Sequence, residues 1–400
     1  MSRGNGLRSG GQVLVDQLRI HGVDTIFCVP GESYLTVIDA LHDAQNEIKT
    51  VACRQEGGAT NMAEAYGKLT GKPGVAMVTR GPGACNGSIG VHTAMQDSTP
   101  MVIFIGQVAR DQEYREAFQE VDYHKFYGAI CKEVVQIDHA NRVPELVSQA
   151  FHVAASGRPG PVAVSNPEDM QRDMVDVADA RPFTTVRSEV GPQAMADFRG
   201  QLAVSERPLM IVGGAGWSEK ACADIQAFAE ANAVPVAASF RCQDTFDNMH
   251  ANYAGELGTS ASPKLTARLK GSDLLIVVGS RLGEMTTGGY SLVSLPVPRQ
   301  KLVHVYMDAA ELGRVYEPDV AIVASMESFA GAAKDMEAMS PDSRTEWVRE
   351  ANQDYIDNLQ PTLEMNGVDM HAVMDVLNEK LPADAIITND AGNFSGWAQR

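Results

Sequence analysis

"RQEGGATNMAEAYGKLTGKPGVAMVTRGPGACNG" (residues 54–87) reads as a helix, a strand and the start of a second helix, with only short turns between them. Ala59, Met62, Ala63 and Tyr66 fall at i, i+3, i+4 and i+7, the stripe of a helix packed on a core, and Gly71 supplies its stop. "GVAMVT" (74–79) is a continuous apolar run, and "TRGPGACNG" (79–87) places three glycines and a proline between that strand and the next helix. A strand apolar on both faces belongs to a parallel sheet covered on both sides.

The same pattern extends outward. "DTIFCVP" (24–30), "TVACR" (50–54), "PMVIFIGQV" (100–108), "EVVQI" (133–137) and "GPVAVS" (160–165) alternate with helical stretches. A second series follows with "PLMIVGG" (208–214), "VPVAASF" (234–240), "DLLIVVGS" (273–280), "KLVHVYMD" (301–308) and "VAIVAS" (320–325). The expected class is α/β, with two doubly wound parallel-sheet domains and the start of a third. The boundaries read as a flexible tail at 1–10, a first domain at 11–168, a linker at 169–193, a second domain at 194–330 and a connector at 331–367. From 368 to 400 a helix, "VDMHAVMDVLNEKL", and a strand, "DAIITND", begin a third unit too short to bury a core by itself.

Composition limits the function. The formal charge of −18 argues against nucleic acid as a partner, since phosphates call for a basic face. No apolar run reaches the length of a membrane span, and "MSRGNGLRSGGQ" has no secretion-signal core, so a cytoplasmic location is expected. The six cysteines form no C-x-x-C and have no His at metal spacing, so they read as small buried residues, and no metal-ligating set is assigned.

Three strand-to-helix turns carry special residues: "FCVPGES" (27–33) with Pro30 and Gly31, "TRGPGACNG" with Gly81, Pro82 and Asn86, and the helix start at Glu56. In a parallel sheet all three lie at the carboxyl edge, where open α/β sheets bind their ligands. Glu56 alone has two readings: a first-turn carboxylate attracted by the positive end of its helix, or a functional acid. Glu64 and Lys68 read as an i,i+4 pair on a solvated face. "GGAGWS" (213–218), with Gly214, is similar to a nucleotide-binding turn, but Glu219 stands where G-x-G-x-x-G needs its last glycine, which weakens a dehydrogenase reading.

These blocks resemble the thiamine diphosphate-dependent enzymes, most closely the acetolactate synthase-like group of large catalytic subunits. The family pattern R-x-E, G-A, A-[DE]-x-Y-x-[RK]-x-T-G matches residues 54–71, and T-x-G-P-G-x-x-N matches 79–86. The block through M-D-S-x-P and G-Q-V follows to Val108, with Gln96 a departure, and then come "AFQEVD" (117–122) and "GRPGPVAV" (157–164). The resemblance implies that Glu56 is the carboxyl group bonded to the cofactor's aminopyrimidine. Held in a largely apolar site with a raised pKa, it would promote formation of the C2 carbanion that attacks a 2-oxo acid such as pyruvate. It further implies that Pro30 and Gly31 border the pyrimidine, and that Gly81, Pro82 and Asn86 line the pocket. Phe118 and Gln119 would face the substrate, with Gln107 nearby.

In the second domain the resemblance is to a domain that often holds FAD. It points to Gly214, Arg281, Asp308 and Asp319, together with Arg158 of the "RPGPV" motif. "GSRLGEMTTGG" (279–289) keeps Arg281 but has Leu-Gly-Glu-Met where the family has F-D-D-R, and "GELGTSAS" (255–262) lacks the His of G-M-H-G-T. The family holds Mg2+ and diphosphate through a G-D-G followed by Asn, and no G-D-G occurs here, so those ligands are expected beyond Arg400. The implied assembly is a homodimer or homotetramer with active sites at subunit interfaces. The implied activity is a carboligase or lyase that decarboxylates a 2-oxo acid and transfers the acyl unit to an acceptor. The alternatives are another thiamine diphosphate-dependent 2-oxo acid decarboxylase or C–C lyase, and a non-catalytic truncated paralogue binding nucleotide.

Overall fold

Strands without a polar face must be covered on both sides, and in the computed structural model helices cover both. Residues 6–339, 342–360, 367–389 and 392–398 are described. The chain divides into two units, Met1–Arg187 and Ser188–Arg400.

The first unit runs β1 (Arg8–Ser9), α1 (Gly10–Ile20), β2 (Thr25–Cys28), α2 (Leu35–Asp43), β3 (Lys49–Ala52), α3 (Glu56–Thr70), β4 (Gly74–Val78) and α4 (Pro82–Asp97). It continues with β5 (Met101–Gln107), α5 (Tyr123–Tyr127), β6 (Glu133–Gln136), α6 (Val143–Ala155), β7 (Pro161–Pro167) and β8 (Met174–Val175). Six strands form one parallel sheet in the order β3-β2-β4-β5-β7-β6. In β4 the pleat sends Val75 and Met77 to the face packed with Leu14, Leu18 and Phe151, while Ala76 and Val78 join Ala59, Ala63 and Val91 on the other.

α3 and α4 meet closely because their contact residues are small: a Cβ on Gly90 would lie 2.5 Å from the Thr60 carbonyl carbon. This contact corrects two expectations. The buried face of α3 runs through Ala59, Thr60, Ala63, Glu64 and Gly67, while Met62 is half-exposed. Glu64 is therefore not solvated; it accepts a 2.9 Å bond from Thr99 Oγ1, and burial raises its pKa. Lys68 pairs with Asp97.

Two expected boundaries also shift. Residues 8–10, placed in the tail, form β1, paired antiparallel with β8, and the first residue of α1. Ser9 and Gln12 close a capping box there. The first half of the 169–193 stretch belongs to the first unit: Val177 and Phe183 pack on its core, and the Phe183 N–H donates to His21 Nδ1. Of the cysteines, only Cys28 and Cys131 are buried, while Cys85 is exposed; all six are free thiols.

The second unit runs α7 (Pro192–Val204), β9 (Pro208–Val212), α8 (Glu219–Ala231), β10 (Val236–Ser239), β11 (Tyr253–Leu257), α9 (Pro263–Gly271) and β12 (Leu274–Val278). There follow β13 (Lys301–Tyr306), β14 (Val320–Val323), α10 (Met326–Lys334), α11 (Asp342–Asn358), α12 (Met370–Lys380) and α13 (Ser395–Ala398). Its sheet is again parallel and six-stranded, in the order β11-β10-β9-β12-β13-β14. β11, "YAGEL", has no apolar run to announce it and takes its strand form from pairing with β10.

Most of the expected connector is structural. α11 packs against the sheet through Val348 and Ala351, and its buried Arg344 donates to the carbonyls of Leu202, Ser205 and Met339. Those carbonyls end α7 and precede α11, so one guanidinium satisfies groups that would otherwise be stranded. The expected helix at 368–381 is present as α12, but residues 384–389 form no strand. Ile386 is 92% exposed, and no neighbouring strand among the described residues offers it a partner.

Glu256 in β11 is buried with an unpartnered Oε1, and burial pushes its pKa up to about 7. A carboxyl raised in the fold stabilises it below the unfolded value near 4.5, and that contribution is lost as pH rises through 7. Glu256→Gln is therefore expected to match wild type near pH 4.5 and to exceed it at pH 8 by about 1–2 kcal/mol in urea unfolding. A difference that does not change with pH would contradict this.

Candidate active site at the carboxyl edge of the first sheet

In the first sheet the chain leaves β2 for β3 on one side and leaves β4 for β5 on the other, so the crevice between β2 and β4 is the switch point. The turns after these strands carry Pro30–Gly31 and Gly81–Pro82–Gly83, and Gly31 and Gly83 both pack on the Thr79 side chain. A Cβ on Gly31 would lie 2.4 Å from Thr79 Cβ, and one on Gly106 would lie 1.9 Å from Ser33 Oγ. Ser33 Oγ is 2.8 Å from Thr79 Oγ1 and accepts from the Arg80 N–H at 3.1 Å. Arg80 in turn pairs with Glu168 and Glu32.

Glu56 is the first residue of α3, and the Gln55 side chain caps the helix by accepting from the Gly58 N–H at 2.9 Å. Asn86, one turn into α4, donates from Nδ2 to Glu56 Oε2 at 3.1 Å. Oε1 takes no hydrogen bond from the described residues and lies 3.4 Å from where a Gly83 Cβ would sit. One carboxylate oxygen is thus fixed by a neutral donor, and the other faces space that only a glycine backbone leaves open.

The segment that follows β5 closes over this turn. Gln119 has φ 65°, and a Cβ on Gly81, itself at φ 60°, would lie 2.7 Å from Gln119 Cβ. The Tyr123 hydroxyl accepts from the Gly81 N–H at 3.0 Å, and burial pushes its pKa up to about 12, so it stays a neutral phenol. Gln107 is buried and donates to Val121 O at 2.9 Å, which sets it beneath the Gln119 segment and away from the crevice opening. Phe118 is 76% exposed. The structure therefore brings Gly31, Glu56, Gly81, Gly83, Asn86 and Gln119 together. Ser33, Thr79, Arg80 and Tyr123 went unread in the sequence, although Thr79 and Arg80 open the very turn that was singled out.

The remaining assigned residues divide between the two units. Arg158, in the first unit, donates to Ser98 Oγ at 2.9 Å and to Met95 O near the end of α4. In the second unit Gly214 follows β9 at its switch point and presses on Gly279 O, where a Cβ would lie at 2.0 Å. Arg281 is paired with the buried Glu311 at 3.0 Å, and Asp308 caps its own turn at the Ala310 N–H. Asp319 sits at the opposite, amino edge, bonded to Lys301 and to the Leu302 N–H. Within the second unit Gly214, Arg281 and Asp308 thus share the carboxyl edge of the adjacent strands β9, β12 and β13, while Asp319 lies at the amino edge. Among the described residues no group of three or more His, Cys, Asp or Glu is placed to hold a metal ion. None of the described helices is long and apolar enough to cross a membrane.

A switch-point crevice with an acid at a helix start and glycine turns on both sides is the geometry of an α/β cofactor-binding enzyme domain. Residues 8–126 match the family described as thiamine pyrophosphate enzyme, N-terminal TPP binding domain, and residues 196–332 match the central domain of the same enzymes. The chain is 34% identical over 402 residues to the acetolactate synthase large subunit of Parasynechococcus marenigrum (strain WH8102), covering 98% of this chain and 64% of that protein. It is 31% identical over 395 residues to the acetolactate synthase isozyme 2 large subunit of Escherichia coli (strain K12), covering 98% of this chain and 70% of the relative. The chain belongs to the thiamine pyrophosphate enzyme family, among the acetolactate synthase-like large subunits. It spans about two-thirds of the length of these relatives.

The crevice fits the pyrimidine half of that cofactor. Gly31 and Gly83 leave room for the Thr79 side chain between the two turns, and Glu56 Oε1 takes no hydrogen bond from the described residues. Gly81→Ala tests the turn: a Cβ at positive φ pressed on Gln119 is expected to cost about 1–3 kcal/mol in urea unfolding and to weaken thiamine diphosphate binding in calorimetry. A variant with wild-type stability and affinity would show that the close approach does not matter.

Proposed function

We propose that the full-length protein is an acetolactate synthase-like carboligase or lyase, which decarboxylates a 2-oxo acid such as pyruvate and passes the acyl unit to an acceptor. The observation that carries this reading is the Glu56 carboxylate, held at one oxygen by Asn86 and open at the other, in a switch-point crevice shaped by Gly31, Gly81 and Gly83. A protein retained only to bind nucleotide has no use for that acid.

Thiamine diphosphate, when bound, supplies a nucleophilic carbon and an electron sink for loss of the substrate carboxylate. Glu56 gives and takes a proton at Oε1, while Asn86 fixes Oε2 and so the plane of the carboxyl group. Pro30, Gly31, Gly81, Pro82 and Gly83 would line the crevice that receives the pyrimidine. Gln119, on the segment that packs on Gly81, and the exposed Phe118 beside it would face the substrate. Mg2+ and the diphosphate are assigned no ligands among the described residues, and the complete site would form between subunits of a homodimer or homotetramer.

Full-length protein assayed with pyruvate and other 2-oxo acids, thiamine diphosphate and Mg2+ tests the proposal. Glu56→Gln keeps the shape but cannot carry the proton, so turnover is expected to fall at least about a hundred-fold. Turnover equal to wild type would sink the role of Glu56; wild type inert toward every 2-oxo acid would sink the activity.

A further inference from the structure

Gln119 is carried by a loop, residues 110–122, that has little apolar packing to hold it. Tyr114 is 90% exposed and Phe118 is 76% exposed. Tyr114, Glu116 and Gln119 have φ of 62°, 54° and 65°, a region that strains residues with side chains. A loop that is exposed and strained needs polar ties to keep one shape.

Those ties centre on Glu120. Its Oε1 accepts from the Tyr114 N–H at 2.6 Å and its Oε2 from the Ala117 N–H at 3.0 Å, while its own N–H donates to Ala117 O at 2.9 Å. One carboxylate thus folds residues 114–117 back onto the residue next to Gln119 and spans two of the three strained positions. At the far end Glu113 accepts from Gln136 Nε2 at 2.7 Å. On the sheet side Gln119 is seated on Gly81 and followed by Val121, whose carbonyl is held by Gln107.

We propose that Glu120 is a positioning residue for the reaction: its carboxylate latches the loop and holds the Gln119 amide over the Gly81 turn. This rests on the reading of Gln119 as the substrate-facing residue. The latch requires an acid because both bonded groups are N–H donors. A glutamine would keep one acceptor and set its own N–H2 against the other donor.

The test uses full-length protein and four readouts: tryptic cleavage after the exposed Arg115, identified by fragment mass; thiamine diphosphate affinity by calorimetry; and kcat and KM for pyruvate. Glu120→Ala is expected to accelerate cleavage at Arg115 on the order of ten-fold, as loss of two charge-assisted bonds implies. It should lower kcat by a similar factor with thiamine diphosphate affinity unchanged, and Glu120→Gln should fall between it and wild type. Because Glu120 acts through Gln119, adding Glu120→Ala to Gln119→Ala should lower kcat no further. Cleavage unchanged in Glu120→Ala overturns the latch, and a full additive loss of kcat in the double variant overturns its action through Gln119. Wild type that binds no thiamine diphosphate overturns the proposed function and the proposal with it, an outcome distinct from an active wild type matched by Glu120→Ala.

Discussion

Glycine backbone pressed against the side chains and backbone of neighbouring turns at the carboxyl edge of the first sheet is the constraint on which the rest depends. Gly31 against Thr79, Gly106 against Ser33 and Gly81 against Gln119 are approaches with no room for a Cβ. Because these turns close on one another, the loops after β2, β4 and β5 cannot shift independently. The site inherits its geometry from that closure: α4 starts where Gly81 allows it, which puts Asn86 within reach of Glu56.

The same economy governs the pairing of α3 and α4. Small residues along the contact let the helices approach closely and leave little room to bury polar groups without partners. Glu64 is accommodated only because Thr99 reaches it, and the cost of burial remains visible in its raised pKa. The second unit repeats the topology with different consequences. Its own switch point also carries glycines in contact, Gly214 against Gly279, yet the charged residues around it are engaged with one another. One architecture therefore presents an available acid at the switch point of the first unit, while at that of the second Arg281 is paired with Glu311.

Much of this was legible in the chain. Strands apolar on both faces announced the parallel sheets, since burial on both sides removes any need for alternation. Pro30–Gly31, Gly81–Pro82 and Glu56 were visible because turn chemistry is local and follows strands at fixed offsets. β11 was hidden, because "YAGEL" has no apolar run and becomes a strand only beside β10. α11 looked like a connector because its anchor is Arg344, a residue whose burial depends on carbonyls more than a hundred positions away in sequence. The strand expected at 384–389 failed for the converse reason, an apolar run with no partner among the described residues.

What the sequence determined by itself was the class of fold, the edge of the sheet where ligands belong, and the acid that stands there, because periodicity and turn residues are properties of neighbours along the chain. Which residues face that acid was decided by tertiary structure. Asn86 reaches Glu56 across thirty positions, and Tyr123 receives the Gly81 N–H across more than forty. Glu64 passed from solvated charge to buried acceptor, and Gln107 found its partner in the Val121 carbonyl. In each case the side chain's chemistry was readable from the sequence, but its partner became known only when the sheet brought distant turns to one edge.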